Sequence, residues 1–328
     1  MRGAAITLAR QVMESGTRYD AILATDMLDL PLFQSLIRKR YSNVPIGLYF
    51  HENQILYPWS PRDSDIRKGR DASYGFINYA SALSADKVFF NSDFHRNAFL
   101  DALPDFLGRF PDSKNLDTQS EIADKSETLW LGLDLQGLDI EGPKPKPKDY
   151  PLIVWNHRWE YDKNPIGFFR ILYQLRERGC AFNLALLGER FDEEPPYFLK
   201  AKRILGERIR QYGRLDKFQD YAQWLWEADI ALVTSKQDFF GGSVVETLYC
   251  GCHPILPRRL AYTDHIDPAE HPECYYESEG DAVDCLQELI SGQRWRSPAQ
   301  FGKLAARYDW SARIADYDRA IGRLMEIS

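Results

Sequence analysis

Residues 151–177 read PLIVWNHRWEYDKNPIGFFRILYQLRE. Pro151–His157 is a short apolar run ending in polar residues, the pattern of a strand buried on both faces of a parallel sheet. Asn164–Glu177 then places apolar residues at helical spacing, with Pro165 in the first turn, where its missing N–H costs nothing. A buried strand passing through a charged loop into a helix is the repeating unit of an α/β fold. Toward the carboxyl terminus the unit recurs. Strands are expected at Ala181–Gly188, Ala228–Ser235 and His253–Pro257. Helices are expected over Pro195–Tyr212, Phe218–Glu227 and Gly242–Cys250, and they dominate from Asp281 onward. Toward the amino terminus, residues 139–150 (DIEGPKPKPKDY) hold three prolines, three lysines and a glycine, and read as a linker.

Before that linker the same alternation is found. Helices fit Gly3–Ser15, Pro31–Tyr41, Tyr74–Ser84 and Phe94–Leu103. Strands fit Tyr19–Thr25, Val44–Phe50, Asp86–Ser92 and Ser126–Leu135. The expectation is two Rossmann-like, doubly wound α/β domains facing a cleft: residues 1–138, a linker at 139–150, and residues 151–328 with carboxyl-terminal helices. A doubly wound domain usually opens on a strand and a glycine-rich turn. This chain opens on a helix, so its first domain is expected to lack the leading strand.

The 328 residues are 44% hydrophobic and 27% charged, with a formal net charge of −7. That suits soluble globular domains and excludes a general basic coat for nucleic acid. Local basic stretches remain, RKRY at 38–41, RKGR at 67–70 and KPKPK at 144–148. No run of about 18 apolar residues is present, so no membrane helix is expected. The first residues do not read as a signal peptide. The five cysteines are scattered and odd in number, which fits reduced, packing thiols and a cytoplasmic setting. No phosphate loop, GxGxxG, HExxH or GxSxG motif occurs, and no Cys/His set has metal spacing.

Three stretches carry candidate chemistry. SKQDFFGGSVVE (235–246) runs from a strand end through Asp238 and the pair Gly241, Gly242 into a helix bearing Ser243 and Glu246. Glycines let backbone approach a phosphate, and a helix start offers free N–H groups with partial positive charge. HRWEYDK (157–163) places Arg158 and Lys163 at another strand end, as a clamp for a diphosphate or as ion-pair partners of Glu160 and Asp162. HENQ (51–54) sets His51, Glu52 and Asn53 after a buried strand. Asp26, Asn91 and His95 occupy similar strand ends, where Ser92 or Asp93 can cap the following helix.

Two α/β halves with a phosphate clamp in the second resemble GT-B glycosyltransferases. DFFGGSVVE resembles the acidic signature of the family 4 retaining enzymes, with Asp238 where Glu is usual. YFHENQILYP, YGFINYASALSADKVFFNSDFH and HRWEYDKNP resemble the tRNA-queuosine α-mannosyltransferase branch over essentially the whole chain, and MRGAA resembles a segment internal to that family. The resemblance implies GDP-mannose as donor substrate, queuosine in a tRNA anticodon as acceptor, and no metal or other cofactor. It implies that Glu246 holds the donor ribose, that Asp238 contacts hydroxyls of the transferred hexose, and that Gly241, Gly242 and Ser243 present backbone to the diphosphate. Arg158 and Lys163 would neutralise the leaving group, His51 would orient the sugar, and Gly213 and Arg214 would lie beside the base. Asp26, Glu52, Asn53, Asn91 and His95 fall on the acceptor side. Alternatives are a transferase with a small-molecule, lipid or glycan acceptor, a non-catalytic nucleotide-sugar binder, or an epimerase. Oligomeric state is not readable.

Overall fold

The computed structural model describes residues 3–59, 71–139, 148–188, 194–296 and 299–327. The chain divides into two compact units, Met1–Leu131 with Arg313–Ser328, and Gly132–Ala312.

The first unit runs α1 (Ala4–Ser15), β1 (Ile22–Thr25), α2 (Leu30–Tyr41), β2 (Ile46–Phe50), α3 (Asp71–Ser84), β3 (Lys87–Phe90), α4 (Asp93–Gly108), α5 (Thr118–Asp124) and β4 (Ser126–Thr128). Its four parallel strands lie side by side in chain order, β1-β2-β3-β4, with no change of direction. Right-handed crossovers in one direction put all intervening helices on one face. The packing agrees: Leu48, Phe50, Val88 and Phe90 face a core with Phe33, Ile37, Phe99 and Leu103. Local signals start the helices. Asp29 accepts from the N–H of Leu32 at 3.2 Å, and Ser92 accepts from that of His95 at 2.9 Å.

The second unit runs β5 (Leu152–Asn156), α6 (Pro165–Glu177), β6 (Asn183–Leu187), α7 (Pro196–Leu205), β7 (Ile209–Tyr212), α8 (Phe218–Glu227), β8 (Ile230–Leu232), α9 (Gly242–Tyr249), β9 (His253–Pro257), α10 (Tyr262–His265), β10 (Tyr275–Tyr276), α11 (Glu279–Ser291), α12 (Ala299–Ala305) and the start of α13 (Trp310–Met325). The strand order is β10-β9-β8-β5-β6-β7, all parallel. The chain winds outward from β5 to β7, then returns to lay β8 on the other side of β5. This reversal opens a crevice at the carboxyl ends of β5 and β8, where such sheets bind ligands. A core of Trp155, Phe168, Phe169, Phe198, Ile230 and Leu286 lies beneath it.

The structure corrects the sequence reading in three places. The helix expected over Pro195–Tyr212 ends at Leu205, and Ile209–Tyr212 is strand β7 beside β6. Gly206, at φ 19° and ψ −96°, breaks the helix. The strand expected over Ser126–Leu135 pairs over only three residues, with an isolated bridge from Leu133 to Asp309. The last helix, given wholly to the second domain by the sequence reading, returns instead to the first unit. Strand side chains alternate, so Gly47, Tyr49 and Phe89 face away from the crossover helices. That face is covered by α13. Ala320 is buried with Tyr49, Phe89 and Leu129, and the Tyr317 hydroxyl donates to Tyr49 Oη at 3.0 Å.

Of the basic stretches, RKRY ends α2, where positive side chains complement the helix C-terminus. Its Arg40 donates to the Gly16 carbonyl. RKGR at 67–70, and KPKPK up to residue 147, lie outside the described residues, as do linker residues 140–147. All five cysteines are free thiols.

Candidate active site

At the β5/β8 crevice the candidate residues of the second unit fall into two linked groups. In the first, the Lys163 ammonium donates to Asp238 Oδ1 at 2.8 Å and to the Gln237 carbonyl at 2.9 Å, with Asp162 Oδ2 at 3.2 Å. The Lys163 side chain is 10% exposed, Asp238 14% and Asp162 0%, so this is a buried ion cluster with one open edge. Tyr262 donates to Asp238 Oδ2 at 2.5 Å. Burial opposes ionisation of Asp238, but Lys163, His157 and the hydrogen bonds outweigh it, so its carboxyl titrates below the usual range. The turn carrying Lys163 is pinned by Thr234, whose hydroxyl donates to the Lys163 carbonyl at 2.9 Å. Asn164, at φ 51°, then caps α6 by accepting from the N–H of Gly167 at 3.2 Å. Arg158 extends outward with its side chain 58% exposed, 3.5 Å from Glu160.

The second group surrounds the start of α9. Gly241 stands at φ +80°, and a Cβ there would lie 3.0 Å from the Tyr262 ring. That left-handed residue turns the chain into the helix, whose first N–H groups, those of Gly242 and Ser243, precede the intrahelical ladder. One turn later Glu246 Oε2 accepts from the Tyr221 hydroxyl at 2.6 Å, and Asn156 Nδ2 donates to that hydroxyl at 3.1 Å and to the Ser243 carbonyl at 2.9 Å. Burial raises the Glu246 carboxyl above its ordinary value, against the lowering effect of Tyr221. Behind the glycine loop, His265 donates from Nε2 to the Phe240 carbonyl at 2.5 Å while its Nδ1 meets the Tyr308 hydroxyl at 2.9 Å. Arg214 lies exposed just after Gly213, a glycine at φ +97° that ends the β7 edge.

In the first unit, Asp26, His51, Asn53, Asn91 and His95 form one network. Asp26, buried, accepts from the His51 N–H at 2.9 Å and stands 3.4 Å from its Nδ1. The His51 ring rests on Tyr49, centroids 4.7 Å apart, and is half exposed. Asn91 Nδ2 donates to the His51 carbonyl at 2.9 Å, so its Oδ1 faces His95 Nδ1 at 2.7 Å. Asn53 Oδ1 accepts from the N–H groups of Ile55 and Leu56, so its Nδ2 faces His95 Nε2 at 2.9 Å. His95 therefore carries its proton on Nδ1 and accepts at Nε2. A second proton would set donor against donor, and burial, with His51 nearby, lowers its pKa well below the ordinary value. His95 is a fixed pin, whereas His51 offers its ring to solvent. Glu52 is half-buried and accepts from Gln54 at 3.0 Å.

The structure thus brings Lys163 together with Asp238, joins Gly241, Gly242, Ser243 and Glu246 along one turn, and leaves Arg158 and Arg214 as exposed cations of the same unit. Tyr221, Asn156, Tyr262, His157 and His265 complete these groups and were not picked out from sequence. The partner that each of their polar atoms meets becomes visible only when the sheet is assembled. Among the described residues no group of three or more His, Cys, Asp or Glu could hold a metal ion, and no helix is long and apolar enough to cross a membrane.

Residues 1–133 match the family model described as tRNA-queuosine alpha-mannosyltransferase N-terminal. A tRNA-queuosine alpha-mannosyltransferase of Drosophila melanogaster is 36% identical over 233 residues, 68% of this chain and 59% of that protein. The chain therefore spans about three-fifths of the length of that relative. Among solved structures, sucrose-phosphate synthase from Thermosynechococcus elongatus superposes with a TM-score of 0.70 at 17% identity, over 97% of this chain and 77% of its own. HepE from Anabaena in complex with UDP gives 0.69 at 15% identity, over 97% and 82%. A UDP-forming trehalose-phosphate synthase from Burkholderia xenovorans gives 0.66 at 14% identity, over 99% and 78%. Two parallel-sheet α/β units that superpose on these structures have the GT-B fold, and over residues 1–133 the chain is similar to the amino-terminal part of the tRNA-queuosine α-mannosyltransferases.

Proposed function

We propose that the chain is a retaining glycosyltransferase that transfers mannose from GDP-mannose to a hydroxyl of queuosine in tRNA. The observation that carries this reading is the buried Lys163–Asp238 pair beside the Gly241–Ser243 helix start at the β5/β8 switch point. The likeness of residues 1–133 to the tRNA-queuosine α-mannosyltransferase model supports mannose as the sugar and queuosine tRNA as the acceptor. In the reaction the bond from the sugar C1 to the leaving diphosphate oxygen breaks, and a bond from C1 to the acceptor oxygen forms on the same face. The acceptor proton passes to the departing phosphate oxygen. Charge accumulates on the diphosphate, so preorganised donors there are the main source of rate.

Lys163 is already desolvated and oriented, and Arg158 is an exposed second cation, so both suit that charge. The free N–H groups of Gly242 and Ser243 add the partial positive end of α9. Tyr221 holds one Glu246 oxygen, which leaves the other for two neighbouring ribose hydroxyls. Asp238, ionised between Lys163 and Tyr262, is an acceptor for sugar hydroxyls. In the first unit Asp26 favours the proton on His51 Nδ1, leaving Nε2 to accept from a hydroxyl. These roles need no resident metal.

The test is transfer of labelled mannose from GDP-mannose to queuosine-containing tRNA, with queuosine-free tRNA as control and UDP-sugars in parallel. Transfer confined to queuosine tRNA and GDP-mannose is the expected result. Transfer to queuosine-free tRNA, or from UDP-sugars alone, would overturn it.

A further inference from the structure

His157 directly follows β5 and is 4% exposed, enclosed near Asp238, Lys163 and Asp162. Its Nδ1 lies 3.0 Å from Ser243 Oγ. Its Nε2 is sealed from solvent and has no hydrogen-bond partner among the described residues. A neutral imidazole carries one proton, on one nitrogen or the other. If the proton sat on Nε2, a buried N–H would be orphaned, an arrangement folded proteins almost never keep; a bare ring nitrogen costs less. The proton therefore belongs on Nδ1, where it is given to Ser243 Oγ. The serine hydroxyl, with that lone pair engaged, keeps its own proton to donate elsewhere. Ser243 is the second residue of α9 and is half-buried, on the turn that the donor reading assigns to the diphosphate.

We propose that His157 is a positioning residue that makes Ser243 an obligate hydrogen-bond donor to the diphosphate of the bound nucleotide. An oxygen anion accepts and never donates, so a serine whose hydroxyl could turn inward toward a bare Nδ1 would bind it less well. Burial holds the imidazole neutral, with its pKa lowered to about 4, so this polarity persists at neutral pH. Gly188 belongs to the arrangement: a Cβ there would lie 2.2 Å from the His157 carbonyl, which fixes the backbone from which the ring projects. The inference rests on the donor reading above and names one of its working parts.

Two measurements test it. The first uses the unmutated protein: the ¹⁵N spectrum of its histidines should assign a Nδ1–H tautomer to His157, and a Nε2–H tautomer would overturn the proposal. The second is calorimetric binding of GDP to the full chain. His157→Leu and Ser243→Ala should each weaken binding roughly tenfold, the scale of one hydrogen bond to a charged group. The double variant should be no weaker than either single one, because both remove the same interaction. His157→Asn, whose amide nitrogen sits near the Nδ1 position, should restore most of the affinity. Independent, multiplying losses, or GDP binding unchanged in His157→Leu, would refute the role of His157. Failure of the wild-type chain to bind GDP at all would instead remove the donor reading.

Discussion

Replacing Lys163 by Met tests the ion cluster directly. The ammonium stands 2.8 Å from Asp238 and 3.2 Å from Asp162, and also donates to the Gln237 carbonyl at 2.9 Å. Removing it leaves two enclosed carboxylates with no cation between them. Breaking a buried pair by deleting one partner costs about 3–5 kcal/mol. A unit-charge pair at ~4 Å in an effective dielectric of ~20 gives about 4 kcal/mol, the same scale. A domain is stable by only ~5–15 kcal/mol, so the loss should be plain in urea unfolding followed by tryptophan fluorescence. The pH dependence has a definite sign. In the wild type the Asp238 carboxyl is depressed, so its contribution is present above the ordinary carboxyl value and fades as pH falls through the lower folded one. Without Lys163, burial dominates and raises that carboxyl. The deficit of the variant should then be largest near pH 7.5 and shrink toward pH 5 as the carboxyl takes up a proton. A midpoint unchanged at pH 7.5, or a deficit equal at both pH values, would refute the account.

Three further outcomes follow from the same geometry. Tyr221→Phe removes the hydroxyl bound to Glu246 at 2.6 Å and should weaken GDP binding roughly tenfold by calorimetry, the worth of about 1–3 kcal/mol for a lost buried hydrogen bond. Gly241→Ala forces a side chain into the left-handed region at φ +80°, against the Tyr262 ring, and should lower unfolding stability by about 1–2 kcal/mol. Burial lowers His157, His253 and His265 to about 4, so each binds its proton more weakly folded than unfolded. Their stability is fully present above ~6.5 and is lost as pH falls from there toward 4, at about 1.4 kcal/mol per pH unit for each group. Urea midpoints at pH 7.5, 6 and 5 should therefore decline well before ordinary carboxylates titrate.

What the sequence disclosed, and what it withheld, follows from the range of the interactions. Strands such as His253–Pro257 and helices such as Pro165–Glu177 are written in local pattern and end where expected. The segment Ile209–Tyr212 was misread because Leu205, Ile209 and Tyr212 keep a helical spacing past Gly206, while the pairing with Leu184 that makes it a strand is 25 residues away. Asp238, Lys163, Gly241 and Glu246 were legible because charge and glycine at strand ends are conspicuous. Tyr221, Tyr262 and His157 were not, because their partners are distant in sequence and only the fold shows which polar atom points where.

The return of α13 to the first sheet has a consequence for how the protein is made. Residues 1–131 leave the ribosome some two hundred residues before the helix that covers Tyr49 and Phe89 is synthesised. Until then the nascent first unit carries a greasy, half-finished sheet, a natural substrate for chaperones. For the same reason the two units cannot be separated with one cut. A fragment ending near residue 131 would expose that sheet, and trimming back to residue 312 would damage the unit at the opposite end of the sequence.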